Sequence, residues 1–292
     1  MDQVLQQAVN GITLGSVYAL IALGYTMVYG IIKLINFAHG DIYMLGAYIG
    51  YAVTTFWKLP FLPALIIAMC ACSLLGVCIE KMAYKPLRNS SRITLLITAI
   101  GVSLFLEYAT MFIATARIRT FPELVANKSL YFGDIRITIH QMFLVGIAVI
   151  LMILLQFIVH KTRVGKAMRA VSIDRDAAQL MGVSVDKTIS YTFAIGSALA
   201  GAGGVLVGIY YNTISPLMGI MPGLKAFIAA VFGGIGIIPG AMIGGVSIGV
   251  IETFVAGYGG SMYKDAVVFA ILIIILIIKP SGLLGEKTGE KV

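Results

Sequence analysis

The chain has 292 residues, 59% of them hydrophobic and 12% charged, with a mean hydropathy of +0.97 and a formal net charge of +8. A water-soluble domain of this length could not bury so much apolar surface, so the composition excludes a soluble enzyme or binding module and implies a polytopic membrane protein. The positive charge is scattered through short loops and forms no basic stripe with interleaved aromatics, which excludes a nucleic-acid surface and fits loops held on the cytoplasmic side of a membrane.

The first apolar run lies within residues 5–32. It is too long for a cleavable signal peptide and lacks the basic leading region and cleavage site of one. The sequence KLINFAHGDIY then interrupts it, and Asn36, His39 and Asp41 make this the densest polar cluster of the first two spans. Capping of a helix start by Asn36 or Asp41, with an interfacial His39, is one sufficient reason for such residues. A place on a transport pathway is the other. Residues 42–57 form a second span, and Leu59–Cys78 a third, entered through Pro60 and Pro63. Cys70, Cys72 and Cys78 fall in this run with no histidine nearby, so they read as small apolar packers and no metal site is expected. Glu80–Arg92 is a basic loop, 93–115 a fourth span containing Glu107, 116–139 a polar segment and 140–159 a fifth span.

His160–Ser190 stands apart from everything around it. It carries Lys161, Arg163, Lys166, Arg169, Arg175 and Lys187 against Asp174, Asp176 and Asp186. Val164, Met168, Val171, Ala178 and Met181 recur at helical spacing, and Gly182 follows where a helix commonly ends in a left-handed residue. The pattern predicts a short amphipathic helix beside the membrane, serving as a docking element or as a basic loop that fixes orientation. Spans over 190–211, 223–236, 238–257 and 263–279 and a short basic tail complete the chain. Residues 223–236 fall short of the roughly 20 residues a crossing helix needs. Pro239 lies close behind them. The expected fold is therefore all-α: a single transmembrane domain over 1–292, with eight or nine spans and a broken or re-entrant helix near 223–240.

Lysine and arginine set the expected orientation. With 80–92, 160–190 and the tail in the cytoplasm and the N-terminus outside, 14 of the 21 basic residues are cytoplasmic, Lys33, Lys279, Lys287 and Lys291 among them. Gly196, Ala200, Gly204 and Gly208, and then Gly236, Gly240 and Gly244, repeat at the spacing that lets membrane helices approach closely. The break at Pro239 also suits a discontinuous helix beside a pathway. Ionisable residues inside a membrane are functional candidates, and Glu107 and Glu252 are the clear ones. Lys225, Lys264 and Asp265 lie near span ends, where snorkelling explains them. The chain contains no G-x-x-x-x-G-K-[ST], H-E-x-x-H or G-x-S-x-G motif, so it is not expected to be an enzyme.

Three long motifs carry a resemblance. Asn10–Tyr48, the segment GKAMRAVSIDRDAAQLMGV and Lys225–Glu252 resemble the permease subunits of branched-chain amino-acid ABC importers, specifically the shorter LivH-type subunit. The ending KPSGLLGEK fits as well, whereas 116–139 falls outside these matches. The resemblance implies a bacterial cytoplasmic-membrane complex of two permeases (a LivM-type partner here), two ATPases that hold the ATP and Mg, and an extracytoplasmic binding protein. This chain would bind no cofactor itself. Its cytoplasmic coupling segment would be 160–190, with Gly165, Arg169, Ala170, Ala177 and Gly182 at matching positions and Met168 on the apolar stripe. Asn36, His39, Asp41, Glu107, Pro239, Gly240 and Glu252 are the pathway candidates. An ion-coupled secondary transporter is the competing class, and a sister permease for urea or short amides is the neighbouring alternative.

Overall fold

The computed structural model describes residues 2–124, 128–133 and 135–285. Lys287 and Lys291 of the basic tail lie outside the described residues. The described chain runs through α1 (Asp2–Ile32), α2 (His39–Phe56), α3 (Phe61–Ile79, drawn out into a wide π turn over Glu80–Tyr84), α4 (Arg92–Ala114) and α5 (Ile139–Lys161). Two short helices, α6 (Arg163–Ile173) and α7 (Arg175–Leu180), precede α8 (Val185–Tyr211), α9 (Ile220–Gly233), α10 (Ile238–Phe254) and α11 (Lys264–Ile278). Among the described residues six helices are long and apolar enough to cross a membrane, and α9, at 14 residues, is apolar but short. The polar segment before α5 is not all loop. Ser129–Phe132 pairs antiparallel with Ile135–Thr138, and Arg119–Thr120 pairs with Thr213–Ile214.

Packing separates a centre from a rim. In α1 and α8, 83% of the most apolar window is buried, against 33% in α3, 22% in α4 and 33% in α5. Lipid tails are as apolar as leucine, so shape and close approach, not a hydrophobic drive, must hold the central helices together. Small residues supply that approach. α10 lies antiparallel on α1, with Gly245 against Ala19 and Gly249 against Gly15, and Gly204 of α8 sits on the Tyr43 carbonyl of α2. Cys72 fits against Gly201, while Cys70 and Cys78 face outward.

The sequence reading of Pro239 needs correction. Pro239 does not break a helix; it occupies the first turn of α10, where its missing N–H and fixed φ suit a helix start. The chain turns before it, through Gly234 and Gly236 at positive φ. That turn packs on Gly30 of α1 and on Ser281–Gly285 behind α11. Gly240 is held in the α9–α10 hairpin, where an added Cβ would lie 2.5 Å from the Gly233 carbonyl oxygen. Gly240→Leu must therefore push the hairpin apart, an overpacking cost of about 1–3 kcal/mol. The variant is expected to accumulate several-fold less in membranes than wild type, while Met82→Leu on the exposed surface accumulates normally. Equal amounts of both proteins would show that the hairpin has slack.

Candidate functional site

Two helices begin inside the bundle. α1 ends at Ile32, and Lys33 after it, with a φ of 57°, reverses the chain. The next five residues turn back in, so that His39, the first residue of α2, packs against Gly24, where an added Cβ would meet the ring at 2.1 Å. Gly24 lies eight residues before the end of α1, about 12 Å along its axis. α9 begins at the same depth. A Cβ on Gly40 would lie 2.6 Å from the Gly219 carbonyl oxygen and 3.2 Å from the Gly223 Cα, so the first turns of α2 and α9 touch backbone to backbone. Neither start has a side-chain cap. Both helices thus direct the positive ends of their dipoles into the membrane interior.

Acidic side chains meet those ends. Ser103 donates to Asp41 Oδ2 at 2.5 Å, and Glu107 lines the same cavity as Asp41. Ser103 and Glu107 are four residues apart, on one face of α4. They line a cavity of about 260 Å³ together with Tyr25, Gly40, Asp41 and Gly223. Two more cavities lie near it. One of about 780 Å³ at the loop end includes Leu95, Leu96, Arg88 and Arg175, and one of about 220 Å³ towards the other end includes Ile118, Tyr43 and Met218. The first of these and the central cavity both touch α4, whereas the other is lined by α1, α2, α8 and the segment before α9.

The loop end carries a second unit. The expected single helix over Gly165–Gly182 is two helices, because Asp174 is extended and its carboxylate caps α7, accepting from the N–H groups of Asp176 and Ala177. Met168, Val171 and Ala178 face the chain's own core, with Met168 only 3% exposed. The apolar side chains left in the open are Ile173, Leu180 and Met181. Gly165 sits against the Val159 carbonyl, and Arg169 donates to that same carbonyl, capping the end of α5. Arg175 donates to the Ile31 carbonyl at 3.0 Å and so caps α1. Ala170 is half-buried, while Gly182 takes a positive φ in the turn after α7.

The comparisons with known proteins bear on the whole chain. The profile of the family described as "Branched-chain amino acid transport system / permease component" matches residues 7–276. The LivH permease of the high-affinity branched-chain amino acid transport system of Salmonella typhimurium is 44% identical over 305 aligned positions, covering 99% of this chain and 97% of that protein. BraD of Pseudomonas aeruginosa is 43% identical, covering 99% and 98%. A probable LivH of Methanocaldococcus jannaschii is 29% identical, covering 94% and 91%. This chain belongs to that permease family.

In this branched-chain amino acid transport permease the sequence-derived pathway residues fall into three places. Asp41 and Glu107 share the central cavity, with Asn36 and His39 buried behind it, where Asn36 accepts from Tyr84 at 2.7 Å. Pro239 and Gly240 belong to the hairpin turn. Glu252 is paired elsewhere: it accepts from Lys225 at 2.6 Å and Tyr18 at 2.8 Å. Lys225 does not snorkel. It is 4% exposed and also meets Asp265 at 2.6 Å. Sequence reasoning missed Ser103, Tyr25, Glu80 and the capping role of Arg175. The spacing of Ser103 and Glu107 was a usable signal, whereas the others depend on contacts remote in sequence.

Proposed function

We propose that this chain is a permease subunit of an ATP-driven importer and forms part of its pathway for branched-chain amino acids. The observation that carries the reading is the pair of cavities along α4, the larger of which ends beside α6 and α7. Of the six span-length helices among the described residues, α4 is also the least buried. Phe105, Tyr108, Phe112 and Ile113 are exposed, an apolar face suited to a second permease subunit closing the pathway from the other side. Basic residues at the loop end support a cytoplasmic position for 80–92, 160–190 and the C-terminus in a bacterial inner membrane, with the N-terminus outside. ATP and Mg belong to two partner ATPases, and selection of the substrate belongs to a binding protein.

Proteoliposomes test the reading. Leucine uptake is expected to need the ATPase subunits, internal ATP and the binding protein. An ion-coupled carrier is the second reading, and the adjacency of Asp41 and Glu107 is the observation on its side. Uptake by this chain alone, collapsed by a protonophore, would establish that reading instead.

The ATPase contact has its own test. Ile173, Leu180 and Met181 are the apolar groups that a partner would cover, and Arg169 and Arg175 would pass its movement to the ends of α5 and α1. Leu180→Asp puts a carboxylate where a partner must desolvate it, at a cost of roughly 2 kcal/mol or more. This variant is expected to accumulate normally yet lose most of the ATPase on purification. Met168→Asp is expected to fail earlier, by destabilising the chain itself. Full ATPase recovery with Leu180→Asp would remove this surface from the contact.

A further inference from the structure

We propose that the Asp41–Glu107 pair is the point at which the pathway receives the primary ammonium group of its substrate. This rests on the reading that the chain conducts amino acids.

The arrangement is costly unless something cationic visits it. Asp41 and Glu107 are 2% and 7% exposed, deep within the bundle, where ionised groups normally occur paired. Two adjacent carboxyls hold one negative charge readily and two only with a cation beside them. Among the described residues no lysine or arginine lines their cavity, and neither carboxyl joins an ion pair. Asp41 has Ser103. Glu107 has no hydrogen-bond or ion-pair partner among the described side chains, and it lines the cavity. The uncapped starts of α2 and α9 turn the positive ends of their dipoles towards this pair and favour negative charge there.

The rest of the lining suits the other end of such a ligand. Phe37, Ile100, Leu104 and Leu224 provide apolar surface around the carboxyls, and about 260 Å³ accommodates a small aliphatic molecule. Lys225 and Glu252 provide an internal contrast. That buried carboxylate has its own lysine, whereas the cavity carboxyls have none.

The test uses the assembled complex in detergent without the binding protein, and saturation-transfer NMR suited to weak ligands. The probes are 3-methylbutylamine, which keeps the ammonium and the branched chain, and 4-methylpentanoate, which keeps the carboxylate instead. The amine is expected to give a saturable signal, displaced by leucine and not by 4-methylpentanoate. Glu107→Gln is expected to weaken amine binding roughly tenfold or more while the ATPase subunits remain bound. No saturable amine signal, equal displacement by the acid, or an unchanged signal in Glu107→Gln would overturn the proposal. The competition needs no variant, so it decides the matter even if Glu107→Gln fails to assemble. Leucine uptake by wild-type vesicles without an amine signal overturns this proposal and leaves the transport reading standing. Absence of ATP-dependent leucine uptake overturns the transport reading.

Discussion

Arg88→Met is expected to leave little folded protein in the membrane, while Lys85→Met leaves nearly the normal amount. The two residues share a partner and differ in what else they hold. Lys85 meets Asp186 at 2.8 Å, but both side chains are about half exposed, and such pairs contribute about 0–1 kcal/mol. Arg88 meets Asp186 at 2.6 Å and also Glu80 at 2.7 Å. Glu80 is 1% exposed, and its other oxygen accepts from Ser190 at 2.8 Å. Removing the guanidinium strands a buried carboxylate, which typically costs about 3–5 kcal/mol. Adding Glu80→Gln to Arg88→Met removes the stranded charge and is expected to recover much of the loss. Membrane accumulation and thermal stability in detergent would measure all three variants. Arg88→Met with wild-type stability would mean that Glu80 finds another partner or water. The arrangement also matters for coupling, because Arg88 ties the π turn after α3 to the first turn of α8, directly behind α6 and α7.

The membrane class, the helical fold and the special nature of 160–190 follow from local sequence. Apolar runs of span length and a charged amphipathic stretch between them are signals that need no partner. Asp174 was legible too: an aspartate followed by R-D-A-A is an N-cap pattern, and it splits the expected helix in two. What was not legible depends on depth. The polar cluster around Asn36 has the composition of an interfacial loop, and only the contact of His39 with Gly24 carries it inside the bundle. The span over 223–236 reads as short from its length, but the sequence places the interruption at Pro239, because proline is a stronger local signal than Gly219. The short helix is instead explained at its other end, where Gly219 meets Gly40. Glu107 and Glu252 looked equivalent as isolated acids in apolar runs. They differ because Lys225 lies 27 residues from Glu252 in sequence and 2.6 Å from it in space.

That second carboxylate underlies the other large effect. Lys225→Met is expected to destabilise the chain by about 3–5 kcal/mol, towards the lower end of that range. Lys225 Nζ lies 2.6 Å from both Glu252 and Asp265, with the Lys225 and Glu252 side chains 5% and 4% exposed. Without the ammonium, Glu252 keeps only the Tyr18 hydroxyl and the more distant Lys264, at 3.7 Å, while Asp265 has a buried Oδ1 but is 37% exposed as a side chain. The partial compensation by Lys264 and water sets the lower figure. If the cost is the stranded charge, then Lys225→Met/Glu252→Gln must be more stable than Lys225→Met, since a neutral amide can still accept from Tyr18. The pair also locates α9, because Lys225 lies two residues beyond Gly223, whose backbone forms the cavity wall with Gly40. The double variant is therefore expected to regain stability while remaining slow in leucine uptake. Melting temperatures of the two variants give the first comparison, and uptake by the reconstituted complex gives the second. A double variant no more stable than the single one would show that Lys225 acts through packing of its alkyl stem and not through its charge.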